Sequence, residues 1–249
     1  MCGGPGPLTD EHVISKTVRR QMPLLSGVTR TFAGHTSRPQ NVLHIVLRRA
    51  VCPNCNGGWM HQLEDDFVAL VGPKIARPEE MVLDPAQQER VATWAIKTAL
   101  LLEVWTCAQG RGSYVPVDNL RWLASHQSPP AFAQVWMAGV DSRLKRLAWS
   151  QSGFLAIATG ERVACLATFT VGHLGFQVFA RDIEDPNHPG TARSLAPIDP
   201  PQEIRDATVC IWPTVERALW PPGKTILGLE ALPNWAGWLT VLYASPPSQ

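Results

Sequence analysis

The chain has 249 residues, of which 45% are hydrophobic and 17% are charged. This composition excludes a mainly disordered protein and is sufficient for one large domain or two small ones. The net charge of +1 by itself excludes no class of partner. The longest apolar stretch, residues 91–105, is interrupted by Lys97 and Glu103, so we expect no membrane span. The N-terminus lacks the features of a signal peptide, which predicts a cytoplasmic protein.

Charge is unevenly distributed along the chain. Residues 1–61 carry a net charge of +5, whereas the remaining 188 residues carry −4. A basic segment followed by an acidic one indicates that the first part contacts a polyanion, with chance fluctuation in a short window as the alternative. The candidate phosphate-contacting residues are Lys16, Arg19, Arg20, Arg48 and Arg49. The alternative role for these side chains is a solvated surface.

The first part of the chain contains two candidate strands and a helix. A short strand is predicted within residues 8–15, and a second over residues 42–51, which are rich in aliphatic and β-branched side chains. Residues 21–40 contain several Gly and Pro and are predicted to be a loop. Apolar residues spaced by three and four predict a helix over residues 56–71. The Gly-Pro pair that follows should end this helix, which leaves residues 73–83 as a linker.

A second helix has a clear start. Asp84 fits the N-cap position, Pro85 fits the first helical position, and Gln87 lies three residues after the cap. Its apolar stripe between Val91 and Trp105 predicts a core helix without a chemical role.

The C-terminal part has the composition of a sheet. Segments rich in Val, Phe, Trp and Thr predict strands over residues 131–140, 153–158, 163–171 and 174–180. Further predictions are a short helix over 119–125, a long loop over 181–203, Trp-Pro turns at 211–213 and 220–222, and partial helix over 227–244. The predicted class is α+β, with a ββα unit over residues 1–72 and a mixed helix and antiparallel-strand domain over residues 84–249.

A Cys-x-x-Cys pair lies between the second strand and the first helix. Cys52 and Cys55 could present two thiolates to one zinc ion, and Cys2 could supply a third. Free thiols or a redox pair are the alternatives. The other cysteines lie in apolar segments and are predicted to be buried, reduced thiols.

Two short segments place acid, base and amide groups near this cysteine pair. Glu11 and His12 lie at the end of the first strand, and Asn56 begins the first helix. Carboxylate and carboxamide oxygens suit Mg²⁺, and a neutral imidazole can accept a proton from an attacking water. Asn56 could instead be a helix N-cap. His61 lies four residues before Asp65, which predicts a surface His–Asp pair on a helical face different from that of Asn56.

These residues resemble a known family. The segments Leu-Thr-Asp-Glu-His-Val-Ile-Ser-Lys and Val-Cys-Pro-Asn-Cys-Asn-Gly-Gly-Trp-Met resemble bacterial HNH endonuclease-like proteins that combine an "EHV" segment with a "CxxCN-x-x-W" helix. The resemblance covers about residues 1–70 and implies the ββα-metal fold. Residues further along resemble the uncharacterised extension of some of these proteins.

The resemblance implies a role for each matching residue. His12 matches the general base, while Glu11 and Asn56 match positions at a catalytic Mg²⁺ or another divalent cation. Cys52 and Cys55 match structural zinc ligands, and Cys2 matches the second cysteine of the first cysteine pair. The implied activity is hydrolysis of phosphodiester bonds in nucleic acid, with double-stranded DNA as the expected partner.

The sequence departs from the family pattern at two places. The first cysteine pair lacks its first member, and a cysteine upstream of Met1 is expected to complete it. The middle Asn of the motif has no clear counterpart, since Asn41 lies farther from the second cysteine pair than the family places it. These departures keep two alternatives open: a catalytically silent, zinc-stabilised module that binds nucleic acid or protein, and a zinc redox switch.

Overall fold

The protein has a mixed α/β architecture with mainly antiparallel sheets, in agreement with the predicted α+β class. The computed structural model describes residues 7–22, 30–32, 35–37, 45–108, 117–141, 150–156, 162–181, 199–227 and 235. The helices are α1 (Lys16–Arg20), α2 (Pro53–Cys55), α3 (His61–Ala76), α4 (Pro85–Ala108), α5 (Val117–His126) and α6 (Gln202–Arg205), and a π-helical turn (Asn56–Met60) joins α2 to α3. The strands are β1 (Thr9–His12), β2 (Arg30–Phe32), β3 (His35–Ser37), β4 (Val46–Val51), β5 (Met81–Leu83), β6 (Ala133–Asp141), β7 (Ser150–Ala156), β8 (Arg162–Val171), β9 (Leu174–Arg181), β10 (Thr208–Trp212), β11 (Ala218–Trp220) and β12 (Thr225–Leu227).

The two strands predicted in the first part of the chain are present. Strands β1 and β4 pair antiparallel, and the helical segment that begins at Pro53 follows β4 directly. The loop predicted over residues 21–40 is wrong in part, because β2 and β3 form an antiparallel pair in which Thr31 lies opposite Thr36. Threonine is β-branched and favours extended backbone, which outweighs the neighbouring glycines.

Helix α3 continues beyond its predicted end. Pro73 lies inside the helix, which reaches Ala76. Val71 and Ile75 are fully buried on either side of Pro73, so packing outweighs the lost backbone hydrogen bond. The predicted linker over residues 73–83 is also wrong, because β5 pairs with β11.

The turn between β8 and β9 packs directly on the end of α3. The backbone N–H of His173 donates to the carbonyl of Ile75 at 3.1 Å. Gly172 has a φ of +60°, and a Cβ atom there would lie 2.0 Å from the same carbonyl oxygen. Glycine is therefore required at this contact for both conformation and space.

Helix α4 begins as predicted and crosses the core. The backbone N–H of Asp84 donates to Gln87 Oε1 at 3.0 Å, and the N–H of Gln87 donates to Asp84 Oδ1 at 2.9 Å, which is a reciprocal capping box. Burial extends around the helix over residues 91–103, wider than the single stripe predicted. Trp94 stacks on Phe67 of α3 with ring centroids 3.6 Å apart, which ties the two helices together.

The predicted C-terminal strands form one sheet on which α4 packs. Its strand order is β10-β6-β9-β8-β7, and β12 also pairs with β6, in parallel, at residues 139–141 beyond the stretch that pairs with β10. The predicted Trp-Pro turns are wrong in part, since Ile211 and Trp212 belong to β10 and Trp220 belongs to β11. In both cases Pro follows the last strand residue, where its missing N–H removes no ladder bond. The predicted partial helix over residues 227–244 lies almost wholly outside the described residues.

A single core connects the two predicted units. Buried apolar side chains form a continuous cluster from Val13 and Phe67 through Trp94 to Phe176 and Trp220. Helix α4 contacts both α3 and the large sheet, and α3 also reaches the sheet directly, because Phe67 packs against Phe176 of β9.

Candidate functional site

The β1–β4 pair places Glu11 and His12 beside an irregularity in the ladder. Glu11 lies opposite Leu47 and His12 opposite Val46, whereas Thr9 already lies opposite Val51. Between these two pairs, β1 contains one residue (Asp10) and β4 contains three (residues 48–50), so β4 bulges here. Bulges redirect side chains and are common next to active sites.

Asp10 holds this bulge together. Its Oδ1 accepts a hydrogen bond from the backbone N–H of Arg49 at 3.0 Å, and its Oδ2 accepts one from Arg48 Nη1. Arg49 adopts a φ of +48°, a left-handed conformation that the Asp10 contact helps to retain. The arginine contacts hold the pKa of Asp10 below its usual value, so this carboxylate is ionised at neutral pH.

Asn56 links the helical segment to the same strand. Its Nδ2 donates to Thr9 Oγ1 at 2.9 Å and to the carbonyl oxygen of Asp10 at 3.0 Å. Both amide hydrogens are therefore used, and Oδ1 is the atom of this carboxamide that can meet a cation. The N-cap alternative is wrong, because the helical segment begins at Pro53 and Cys52 occupies the cap position.

An open cleft of about 270 Å³ brings the predicted catalytic residues together. Glu11, His12 and Asn56 all line it. The other lining residues are Asp10, Ser15, Lys16, Thr17, Met60, His61 and Glu64. Three chain segments thus converge on one polar cavity that is open to solvent.

Glu11 is one of two buried acids that line this cleft, with 7% of its surface exposed, and Glu64 is the other. Burial raises the pKa of Glu11 to about 7, opposed by the positive charge of Lys97 and reinforced by the negative charge of Glu64. An ionised carboxylate in such a place requires a counter-charge. A divalent cation bound to the Glu11 carboxylate and Asn56 Oδ1 would provide it, and oxygen ligands are those that Mg²⁺ prefers. The two residues therefore fit the expected cation.

Two of the three predicted zinc ligands, Cys52 and Cys55, lie within the described residues. Cys52 is 7% exposed and Cys55 is half-buried, and Cys52 Sγ accepts a hydrogen bond from the Cys55 backbone N–H at 3.4 Å. Cys2 and Asn41 lie outside the described residues. Within the described ranges, no three or more His, Cys, Asp or Glu side chains are grouped to hold a metal ion. Two thiols at one turn fit half of a structural zinc site.

The five predicted phosphate-contacting residues occupy different environments. Lys16 lines the cleft, and Arg20 is exposed on the same short helix, whereas Arg19 is partly buried. Arg48 and Arg49 are exposed on β4, where Asp10 binds the Arg48 guanidinium and the Arg49 backbone. Lys16 is thus the cation placed directly among the candidate catalytic groups.

His61 shows both an expected and an unexpected feature. Its Nε2 lies 3.6 Å from Asp65 Oδ2, and both side chains are exposed, which confirms the surface pair. Its predicted separation from Asn56 is wrong, because both residues line the cleft. The backbone explains this, since Gly58 is non-helical (φ −102°, ψ −113°) and kinks the helical segment between Asn56 and His61, so a regular helical period does not apply across it.

Ser15, Glu64 and Lys97 are polar residues at the site that the sequence reasoning did not select. Glu64 lies four residues after Met60 and three before Phe67, and Lys97 lies three after Trp94 and four before Leu101. Both charges therefore fall inside apolar stripes. A charge at such a position is the signal that could have identified a buried pair.

No family model, curated protein or solved structure matches this chain. Within the described part of the chain, one helix, Pro85–Ala108, is long and apolar enough to cross a membrane, and 78% of its apolar window is buried inside the protein. The core helix of a soluble protein has the same length, composition and burial, so this helix is weak evidence for a membrane span.

Proposed function

We propose that this protein is a metal-dependent endonuclease of the HNH type that hydrolyses phosphodiester bonds, with double-stranded DNA as its substrate. The observation that carries the proposal is the convergence of Glu11, His12 and Asn56 on one open cleft. An antiparallel strand pair followed by a helix also supports the ββα-metal assignment of residues 1–72. The proposed location is the cytoplasm, without membrane contact.

His12 is the proposed general base. It borders the cleft and is half-buried, so its imidazole is accessible to a water molecule there. Asp10 precedes Glu11 and His12 on the same strand, and its charge and that of His12 act on each other. Asp10 in turn keeps its place through Arg48 and Arg49.

Glu11 and Asn56 are the proposed ligands of the catalytic cation, Mg²⁺ or another divalent ion. When bound, such an ion supplies Lewis-acid stabilisation of the charge that develops on the leaving oxygen. The chain's own contribution is to fix the two oxygens, Glu11 by burial and Asn56 by its hydrogen bonds to β1. Structural zinc is proposed at Cys52 and Cys55, together with Cys2.

Basic residues around the cleft are the proposed contacts to the DNA backbone. Lys16 lies in the cleft, Arg20 lies one helical turn further along α1, and Arg48 and Arg49 project from β4. Arg19 adds a partly buried charge on α1. Such contacts orient a phosphate chain and carry no sequence specificity.

Cleavage of supercoiled plasmid DNA in Mg²⁺ tests the proposal. The His12→Ala variant should lose about 10²–10⁴-fold in rate, the usual effect of removing a positioned base. The exposed His126 is not among the cleft-lining residues, so His126→Ala is the matched control and should cleave like the parent. Parent-like cleavage by folded His12→Ala would refute this role, and DNA retention without any cleavage would favour the silent binding module.

A further inference from the structure

A buried ion pair lies behind the cleft. Lys97 Nζ of α4 contacts Glu64 Oε1 of α3, and the two side chains are 2% and 5% exposed. Burying an ion pair costs solvation, and well-packed apolar side chains of similar volume are often at least as stabilising. Stability of the α3–α4 contact therefore does not by itself explain why charges occupy these positions.

The second oxygen of Glu64 connects the pair to the cleft wall. Ser15 Oγ donates to Glu64 Oε2 at 2.8 Å, and the same hydroxyl accepts the backbone N–H of Val18 at 3.2 Å as the N-cap of α1. The chain of contacts thus runs from Lys97 through Glu64 to the start of α1. Lys16, the next residue, faces the cleft.

The pair is also electrostatically close to the candidate metal ligand. The charges of Lys97 and Glu64 both act on the carboxyl group of Glu11. Ser15 and Glu64 line the same cleft as Glu11. The Glu64–Lys97 pair therefore bonds to Ser15, at the start of α1, and acts by charge on Glu11 of β1.

We propose that Glu64 and Lys97 are positioning residues, which fix α1 through Ser15 and thereby hold Lys16 in its place at the cleft. This inference deepens the proposed function and rests on it for its effect on cleavage. The anchoring of α1 by Glu64 and Ser15 is a property of the fold. It can be measured by amide hydrogen exchange whether or not the protein cleaves DNA.

The test uses a double variant that removes the charges and keeps the volume. Glu64→Leu combined with Lys97→Met should melt close to the parent, because an apolar pair replaces the ionic one. Exchange of the Val18 and Arg19 amide hydrogens should become at least about tenfold faster, because α1 loses its anchor. Plasmid cleavage should fall by at least about tenfold, because misplaced groups lose productive geometry.

A second ion pair between the same helices provides the matched control. Arg90 Nε of α4 donates to Asp66 Oδ2 of α3 at 3.0 Å, and neither residue lines the cleft. Asp66→Leu combined with Arg90→Met should leave both α1 exchange and cleavage at the parent level. Ser15→Asp keeps a side-chain oxygen to cap the Val18 N–H and removes the hydroxyl that donates to Glu64. It should reproduce the faster α1 exchange and tests the link even if the double variant does not fold.

The outcomes separate this inference from the proposed function. Parent-like exchange of α1 in the double variant, or in Ser15→Asp, overturns the anchoring, whatever the cleavage result. Faster exchange with parent-like cleavage overturns the positioning role. A parent protein that does not cleave DNA refutes the nuclease, and in that case the exchange data still decide whether the pair holds α1.

Discussion

Glu11→Gln tests the energetic cost of the buried acid. The pKa of Glu11 is raised from 4.5 to about 7, so the folded protein binds more protons than the unfolded chain between these values. The contribution of Glu11 to stability is thus fully present below pH 4.5 and is lost as the pH rises through about 7. At ~1.4 kcal/mol for each unit of difference between the folded and unfolded pKa, the free energy of unfolding falls by about 3 kcal/mol above pH 7.

Glutamine has nearly the same shape and carries no charge. Without a divalent cation, Glu11→Gln should therefore be more stable than the parent at pH 8 by up to about 3 kcal/mol, and similar to it at pH 4.5. Thermal melts across this pH range in chelator provide the measurement, with the exposed Glu80→Gln as control. Addition of Mg²⁺ should raise the melting temperature of the parent and not of Glu11→Gln. Equal stability of variant and parent at pH 8 would refute the reasoning.

Three further predictions concern the other groups at the site. Asn56→Ala removes two hydrogen bonds to β1 and should cost about 1–3 kcal/mol and abolish cleavage. Thr9→Val removes one of the bonds that fix Asn56, and it should destabilise the protein by a similar amount and slow cleavage without abolishing it, as melts and plasmid assays would show. Neutralising Lys16 and Arg20 together should weaken DNA binding and flatten its salt dependence, and an unchanged slope in a fluorescence titration would return them to a solvated surface. Cys52→Ser should lower zinc content and melting temperature together, while Cys210→Ser should not; metal analysis that finds equal zinc in both variants would contradict the zinc assignment.

Local chemistry explains which elements could be predicted from the sequence. The start of α4 follows from Asp84, Pro85 and Gln87, whose side-chain and backbone groups satisfy each other within four residues. Strand β4 and the strands of the large sheet follow from β-branched and aromatic composition. Each of these signals is contained within a short window of sequence.

The errors arise where distant residues decide the conformation. Helix α3 passes Pro73 because Ile75 is buried and its carbonyl accepts the N–H of His173, a residue far away in the chain. The error at His61 is different, because the kink at Gly58 does have a local signal in the Gly57-Gly58 pair, which the helical pattern over residues 56–71 disregarded. A regular 3.6-residue period therefore placed His61 on the wrong face.

The candidate site shows the same division between local and distant causes. The motif residues Glu11, His12 and Asn56 could be selected from their chemistry and from the HNH resemblance, since each carries a functional group suited to hydrolysis. The groups that hold these residues in place could not be selected from the sequence, because each acts through a partner on another element. Asp10 bonds to Arg49, and both Ser15 and Lys97 bond to Glu64. A charge inside an apolar stripe, such as Lys97, indicates from sequence that a partner must exist, since an unpaired buried charge would be too costly. Only the packing of α3 against α4 identifies that partner as Glu64, and through it connects the core of the protein to the cleft.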